Sequence, residues 1–188
     1  MNPPDRHLAL EERLFHSVNV DGGRAVDGLA IFLSSPWFGA AVAVALAVAL
    51  AGARRDGRWR WVLALALALA LSDAGGSQIL RPLLARMRPA YALAPGSFRF
   101  IAPAANVGSL PSLHASNFFA MALVATAAWP WLGPLAYAVA VGVAWSRVYV
   151  GVHWPGDVLA GAVWGSLCAV AALSLARALA GGLRRRGR

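Results

Sequence analysis

Long apolar runs separated by short polar clusters organise this 188-residue chain. Five of the runs approach the roughly 20 residues that cross a bilayer as a helix. They cover about Val26 to Ala53, Trp61 to Leu80, Ser112 to Ala128, Leu132 to Tyr149 and Pro155 to Leu179. Pro36, inside the first run, predicts a kink. In the second, Leu65-Ala66-Leu67-Ala68-Leu69-Ala70-Leu71 alternates as a strand would, yet the apolar stretch around it is too long and unbroken. Length decides for a transmembrane helix. Ahead of these runs, His7 to Val20 sets Leu8, Leu14, Phe15 and Val18 among polar residues. That pattern predicts an amphipathic helix lying in the membrane interface, ended by the turn Asp21-Gly22-Gly23. The expected fold is an all-α integral membrane protein: one membrane-embedded domain over residues 1–188, with about five transmembrane helices and an N-terminal interfacial helix.

Composition agrees. The chain is 59% hydrophobic and 13% charged, with a mean hydropathy of +0.60, which excludes an ordinary soluble domain. Its positive charge is all arginine, and the net charge is +9. No aromatic-interleaved basic patch exists, so nucleic acid is not an expected partner. Arg54, Arg55, Arg58 and Arg60 form one basic loop opposed by Asp56, and Arg177, Arg184, Arg185, Arg186 and Arg188 form another cluster. With five spans both lie on one face, and the positive-inside rule makes that face cytoplasmic. Residues 81–111 and 150–154 then fall on the opposite face. Met1-Asn2-Pro3-Pro4 is followed by acids and no early apolar core, so no cleaved signal peptide is expected. Cys168 is the lone cysteine and is expected to be a packing residue. Trp59, Trp61, Trp129, Trp131 and Trp154 sit near span ends, as interfacial anchors do. Gly161 and Gly165 form a small-residue pair that favours close helix packing, with dimerisation a lesser alternative.

Three polar clusters recur in order beside the runs: Arg81 to Arg88-Pro89, Pro111-Ser112-Leu113-His114, and Ser146-Arg147 followed by His153 and Asp157. Ionisable groups at a membrane boundary are costly unless they have work to do. His153 and Asp157 are four apart at a helix start marked by Pro155, so they share a face. The carboxylate can hold one ring nitrogen and leave the other free, a recurring way to prepare a nucleophile or base. A helix cap with a surface charge is the competing reading. Ser112 stands at a favoured N-cap position, and the free N–H groups of a helix N-terminus attract anions. His114, inside the first turn, is placed to protonate a leaving oxygen. Capping beside an incidental histidine fits that cluster as well.

Arg81 and Arg88 are seven apart, on one helical face if the second span extends that far, with Pro89 then ending the helix. Paired guanidinium forks match phosphate oxygens; taken singly, each arginine fits a snorkelling flank. Arg86 and Arg99 have no spacing that assigns them a role, though either could touch a second phosphate or a lipid headgroup. Asp73, unusual within a span, is expected to pair structurally, and Asn117 to hydrogen-bond between helices. No carboxylate–histidine grouping has metal-ligand spacing, so chemistry without metal or other cofactor is the simpler expectation.

Jointly, the clusters resemble the tripartite signature of the type 2 phosphatidic acid phosphatase superfamily, which also includes vanadium haloperoxidases. The resemblance runs over residues 81–157; its most specific part is Ser146-Arg147, five residues, His153, three residues, Asp157. Two positions depart: Arg81 stands where the family usually has lysine, and Leu113 where it usually has glycine. The resemblance implies that His153 is a nucleophile forming a phosphohistidine, oriented by Asp157, with His114 as the acid. Arg81, Arg88, Ser112 and Arg147, with backbone N–H groups near Leu113, would hold the phosphate oxygens. It further implies a lipid phosphatase or diphosphatase of a bacterial inner membrane, its site facing the periplasm or exterior and its C-terminus cytoplasmic. A polyprenyl diphosphate such as undecaprenyl diphosphate is the favoured substrate. Phosphatidate, phosphatidylglycerophosphate, lipid A phosphates and transfer to a second lipid stay open. A non-catalytic transporter or scaffold would leave the His153–Asp157 pair without a task. The expected partners are a lipid phosphate and membrane lipids; a homodimer is open.

Overall fold

The computed structural model describes residues 3–53, 57–102 and 106–186, with side chains from residue 9 to residue 180 within those ranges. Arg54, Arg55, Asp56 and Arg188 lie outside the described residues, as do the side chains of His7, Leu8 and Arg184 to Arg186. The described residues are helical, with no strand beyond an isolated antiparallel bridge between Met87 and Gly108.

Helix α1 (Pro3–Val18) turns Phe15 inward against Trp154 and Phe98 and leaves Leu10 and Leu14 exposed. After it, the Gly23 N–H donates to Asp21 Oδ1 at 2.9 Å, closing the expected turn. The first apolar run is broken, not merely kinked. Helices α2 (Gly23–Leu33) and α3 (Pro36–Gly52) meet at 55°. Proline has no N–H to continue the ladder, and its ring drives the preceding residue out of the helical region. Ser35 is accordingly extended (φ −74°, ψ 141°), and its hydroxyl accepts the Phe38 N–H at 3.2 Å.

The second run becomes α4 (Arg58–Ala74), a π-helical turn (Gly75–Leu80) and α5 (Arg81–Leu84). Neighbours press in at the wide turn: a Cβ on Gly75 would lie 2.6 Å from Trp164, and one on Gly76 2.5 Å from Leu113. The helix stops at Ala85, which is left-handed at φ 43°. Arg88 stands in extended backbone before α6 (Pro89–Ala92). A single helical face therefore does not carry Arg81 and Arg88; the helix ends before the second of them.

Helices α7 (Leu113–Ala128), α8 (Gly133–Tyr149) and α9 (Pro155–Arg186) complete the bundle. α7 is central, burying Ala115, Phe118, Met121 and Val124. A Cβ on Gly161 would lie 2.5 Å from the Ser112 carbonyl, and one on Gly165 1.9 Å from that of Ser116. The small pair thus seats α9 on α7 within the chain. Cys168 is buried and free, as a packing residue should be. Trp59 and Trp131 are exposed, but Trp61 and Trp154 are core residues and not anchors.

By length and composition, Arg58–Leu84 and Pro155–Ala180 can cross a membrane, and the bent α2–α3 pair raises the number to three. α7, with 16 residues, spans roughly 24 Å against a hydrocarbon core of about 30 Å. Val44, Val48, Leu135, Leu159, Val163 and Leu167 are exposed on the outer faces, the surface a lipid solvent favours. Arg60 and Arg177 line one small cleft at the end of the bundle opposite His153.

Candidate active site

A tight junction between α8 and α9 places His153. Gly151 adopts φ 85°, and a Cβ there would lie 2.3 Å from the Arg99 carbonyl, so glycine is required twice over. His153, 1% exposed, sets Nδ1 3.2 Å from Asp157 Oδ2, one helical turn on. Its Nε2 is 2.9 Å from Arg88 Nη1. A guanidinium can only donate, so Nε2 holds the lone pair and Nδ1–H donates to Asp157. Burial, and after it the charges of Arg88, Arg147 and Arg81, hold the imidazole pKa well below its usual value. The ring is neutral.

Asp157 is fully buried and saturated with donors. Its Oδ2 also accepts the Trp154 N–H at 2.9 Å and the Ser109 hydroxyl, and its Oδ1 accepts Arg86 Nη1 at 3.1 Å. The Asp157 carbonyl accepts the Ser112 N–H at 3.0 Å, tying the second cluster to the third.

Three more guanidiniums gather around this pair. Arg88 donates through Nε and Nη2 to Asn106 O and Oδ1 (2.6 and 3.1 Å) and through Nη1 to Val152 O at 2.9 Å. Burial, and then the charge of Arg81, lower its pKa to about 10, which leaves it cationic at neutral pH. Arg147, 8% exposed, donates Nη1 to Ser34 O at 3.0 Å, and its buried Nε has no acceptor. The Ser34 carbonyl also faces the His114 imidazole. Arg81 donates Nε and Nη2 to Pro111 O, both at 3.3 Å. Ser112 precedes α7, but its hydroxyl does not cap the helix and is buried without a partner. The N–H groups of Leu113 and His114 have no acceptor within their own helix. Orphaned buried donors among like charges call for an anion.

A cavity of about 480 Å³ opens onto these groups. Arg81, Arg88, Arg147, His114, His153 and Leu113 line its polar end, while Ala40, Ala43, Leu69, Phe118 and Met121 wall the remainder. Asp73 and Asn117 flank it. Asp73 accepts the Asn117 amide at 3.2 Å, and Asn117 accepts the Ser72 hydroxyl at 2.7 Å, so Asn117 does bridge helices. Arg99 stays out of the cavity: it bonds Asp27 at 2.8 Å and the Val20 carbonyl at 2.6 Å, clamping its segment to α2. Asn106, Ser109 and Ser34 are contributors that spacing did not reveal. Ser34 alone had a local signal, the helix break announced by Pro36.

Residues 59–179 match the PAP2 superfamily. The chain belongs to that superfamily. It is 48% identical over 61 residues (31% of this chain) to YbjG of Escherichia coli and to the undecaprenyl-diphosphatase of Sulfolobus acidocaldarius, covering 30% and 29% of those proteins. It is 34% identical over 94 residues, 47% of this chain and 42% of the relative, to a lipid A 4'-phosphatase of Bacteroides thetaiotaomicron. The matched segments thus span less than half of these relatives. The fold is similar to that of Aquifex aeolicus LpxE, with a TM-score of 0.70, 23% identity, and 88% of this chain and 95% of that one covered.

Proposed function

We propose that this chain is an integral membrane lipid phosphatase or diphosphatase that releases phosphate from a polyprenyl diphosphate through a phosphohistidine. The carrying observation is the cavity: guanidiniums and imidazoles at one end and apolar walls elsewhere suit an amphiphile with a phosphate head. His153 Nε2 attacks the terminal phosphorus, forming a P–N bond as the bond from that phosphorus to the bridging oxygen breaks and polyprenyl phosphate leaves. Positive charge on the ring is met by Asp157 through Nδ1–H. A phosphate oxygen is a stronger acceptor for Arg88 than Nε2 is, so substrate binding frees the lone pair. Arg81, Arg88, Arg147, Ser112 and the N–H groups of Leu113 and His114 stabilise the equatorial oxygens of the transition state. His114 protonates the leaving oxygen. Water then attacks the phosphohistidine, giving its proton to His114, and the P–N bond breaks to return neutral His153 and phosphate. Three guanidiniums supply the charge that a metal otherwise would, and they repel a cation.

In the bilayer, α2–α3, α4–α5, α7, α8 and α9 are the five spans and α1 lies in the interface. The end bearing Arg60 and Arg177 is cytoplasmic and the His153 end faces the periplasm or exterior of a bacterial inner membrane, in accord with the positive-inside rule. The choice of a polyprenyl diphosphate is supported by the local identity to the undecaprenyl-diphosphatase. The test is phosphate release by the purified protein from polyprenyl, glycerolipid and lipid A substrates with EDTA present. The expected result is fastest release from the polyprenyl diphosphate, inhibition by vanadate, and none in a folded His153→Ala variant. Full activity in that variant defeats the mechanism.

A further inference from the structure

Arg86 lies between the site and the N-terminal helix. Its Nη1 donates to Asp157 Oδ1 at 3.1 Å, and its Nη2 pairs with Glu11 Oε2 on α1. The other Glu11 oxygen accepts the Gly156 N–H, in the first turn of α9, at 2.8 Å. The guanidinium also sits 5.6 Å over the Trp154 ring, against which Phe15 of α1 packs. The Arg86 carbonyl accepts the Ser109 N–H at 2.8 Å, and the Ser109 hydroxyl is the one that reaches Asp157 Oδ2. Each of these contacts leads to Asp157 or to the segments that hold it.

A buried carboxylate persists only with a charge partner. His153 is neutral and Arg88 is engaged by His153, Val152 and Asn106, so neither fills that place. Among the described residues, Arg86 is the guanidinium in contact with Asp157. The two carboxylate oxygens divide the work: Oδ2 receives His153, Trp154 and Ser109, and Oδ1 receives Arg86. Arg86 therefore sets the rotation of the carboxylate that orients the imidazole. Gly156 lets Glu11 approach, since a Cβ there would lie 2.6 Å from Glu11 Oε1 and 3.2 Å from Arg86 Nη1.

We infer that Glu11 and Arg86 are positioning residues, α1 holding Arg86 and Arg86 holding Asp157, so that the N-terminal helix is a working part of the active site. The kinetic consequence rests on the phosphatase reading; the structural one does not. Arg86→Gln is expected to lower kcat by about 10- to 100-fold with KM little changed, the usual cost of removing a group that orients a reacting one. Glu11→Gln and Gly156→Ala are expected to lower kcat less. Arg86→Lys keeps the cation of Asp157 but loses the fork to Glu11, so it should resemble Glu11→Gln. The double variant Glu11→Gln with Arg86→Gln should be no worse than Arg86→Gln alone. A readout free of turnover is the ¹⁵N-edited proton resonance of His153 Nδ1–H in detergent micelles, which should shift in Glu11→Gln and in Arg86→Gln. A shift upholds the relay even if no lipid is hydrolysed. An unmoved resonance overturns it, and phosphate release by the wild type would then leave the phosphatase reading standing.

Discussion

The two ends of the bundle are held by different forces. At the His153 end, segments far apart in the chain meet through directional bonds. Asn19 donates to the Arg99 and Tyr149 carbonyls at 2.8 and 2.7 Å, and the Tyr149 hydroxyl donates to Asp27 at 2.6 Å. At the opposite end, Leu50, Trp61, Leu65, Ala128, Leu173 and Ala176 pack as apolar core. Directional bonds fix a position to a fraction of an ångström but fail when one atom is lost. Apolar packing spreads its energy over many contacts and yields gradually, except where backbones touch. Substitutions at the first end should therefore cost activity, and those along the packed seams should cost stability.

The sharpest break of that contrast is Asp157→Asn. The amide cannot replace the carboxylate toward His153 Nδ1–H and Arg86 together, so kcat should fall by about 10³- to 10⁴-fold. Steady-state phosphate release measures it, and a loss under about tenfold would contradict the assigned tautomer. Next is Gly165→Ala, where the new Cβ meets the Ser116 carbonyl. It should cost about 3 kcal/mol by forcing α9 from α7, read as a lower melting temperature. Arg81→Lys keeps the charge and loses the fork that reaches Pro111 O; about a tenfold loss, mostly in KM, is expected from affinity assays with substrate.

The smallest effect is in pH. His153 has a folded pKa far below its unfolded value of about 6.5. Below that pH the unfolded chain binds a proton that the folded chain does not, so stability falls with acid by up to about 1.4 kcal/mol per pH unit. Melting scans of the wild type and His153→Gln between neutral and acid pH should show a shallower slope in the variant.

The candidate site was legible where chemistry repeats locally. His153 and Asp157 are one turn apart, and Arg147 and His114 sit at span ends, so spacing alone marked them. Arg81 and Arg88 would share a helical face only if the span ran on past Leu84, and the left-handed Ala85 ends the helix before Arg88. Its position at a span end marks Trp154 as an interfacial anchor, because indole rings are enriched there in membrane proteins. Here it is covered by Phe15 and Arg86, which come from distant parts of the chain.

Taken by itself, the order of residues determined that this is an apolar, helical chain with three cationic or histidine-bearing clusters, because hydropathy and charge are properties of short segments. Tertiary structure alone decided what those clusters touch. The bonds from Ser109 and Arg86 to Asp157, from Arg147 to Ser34 and from Gly156 to Glu11 join residues 48, 71, 113 and 145 positions apart. No local period encodes such partners. They are selected only when packed helices bring buried polar groups together and each must find an acceptor or donor.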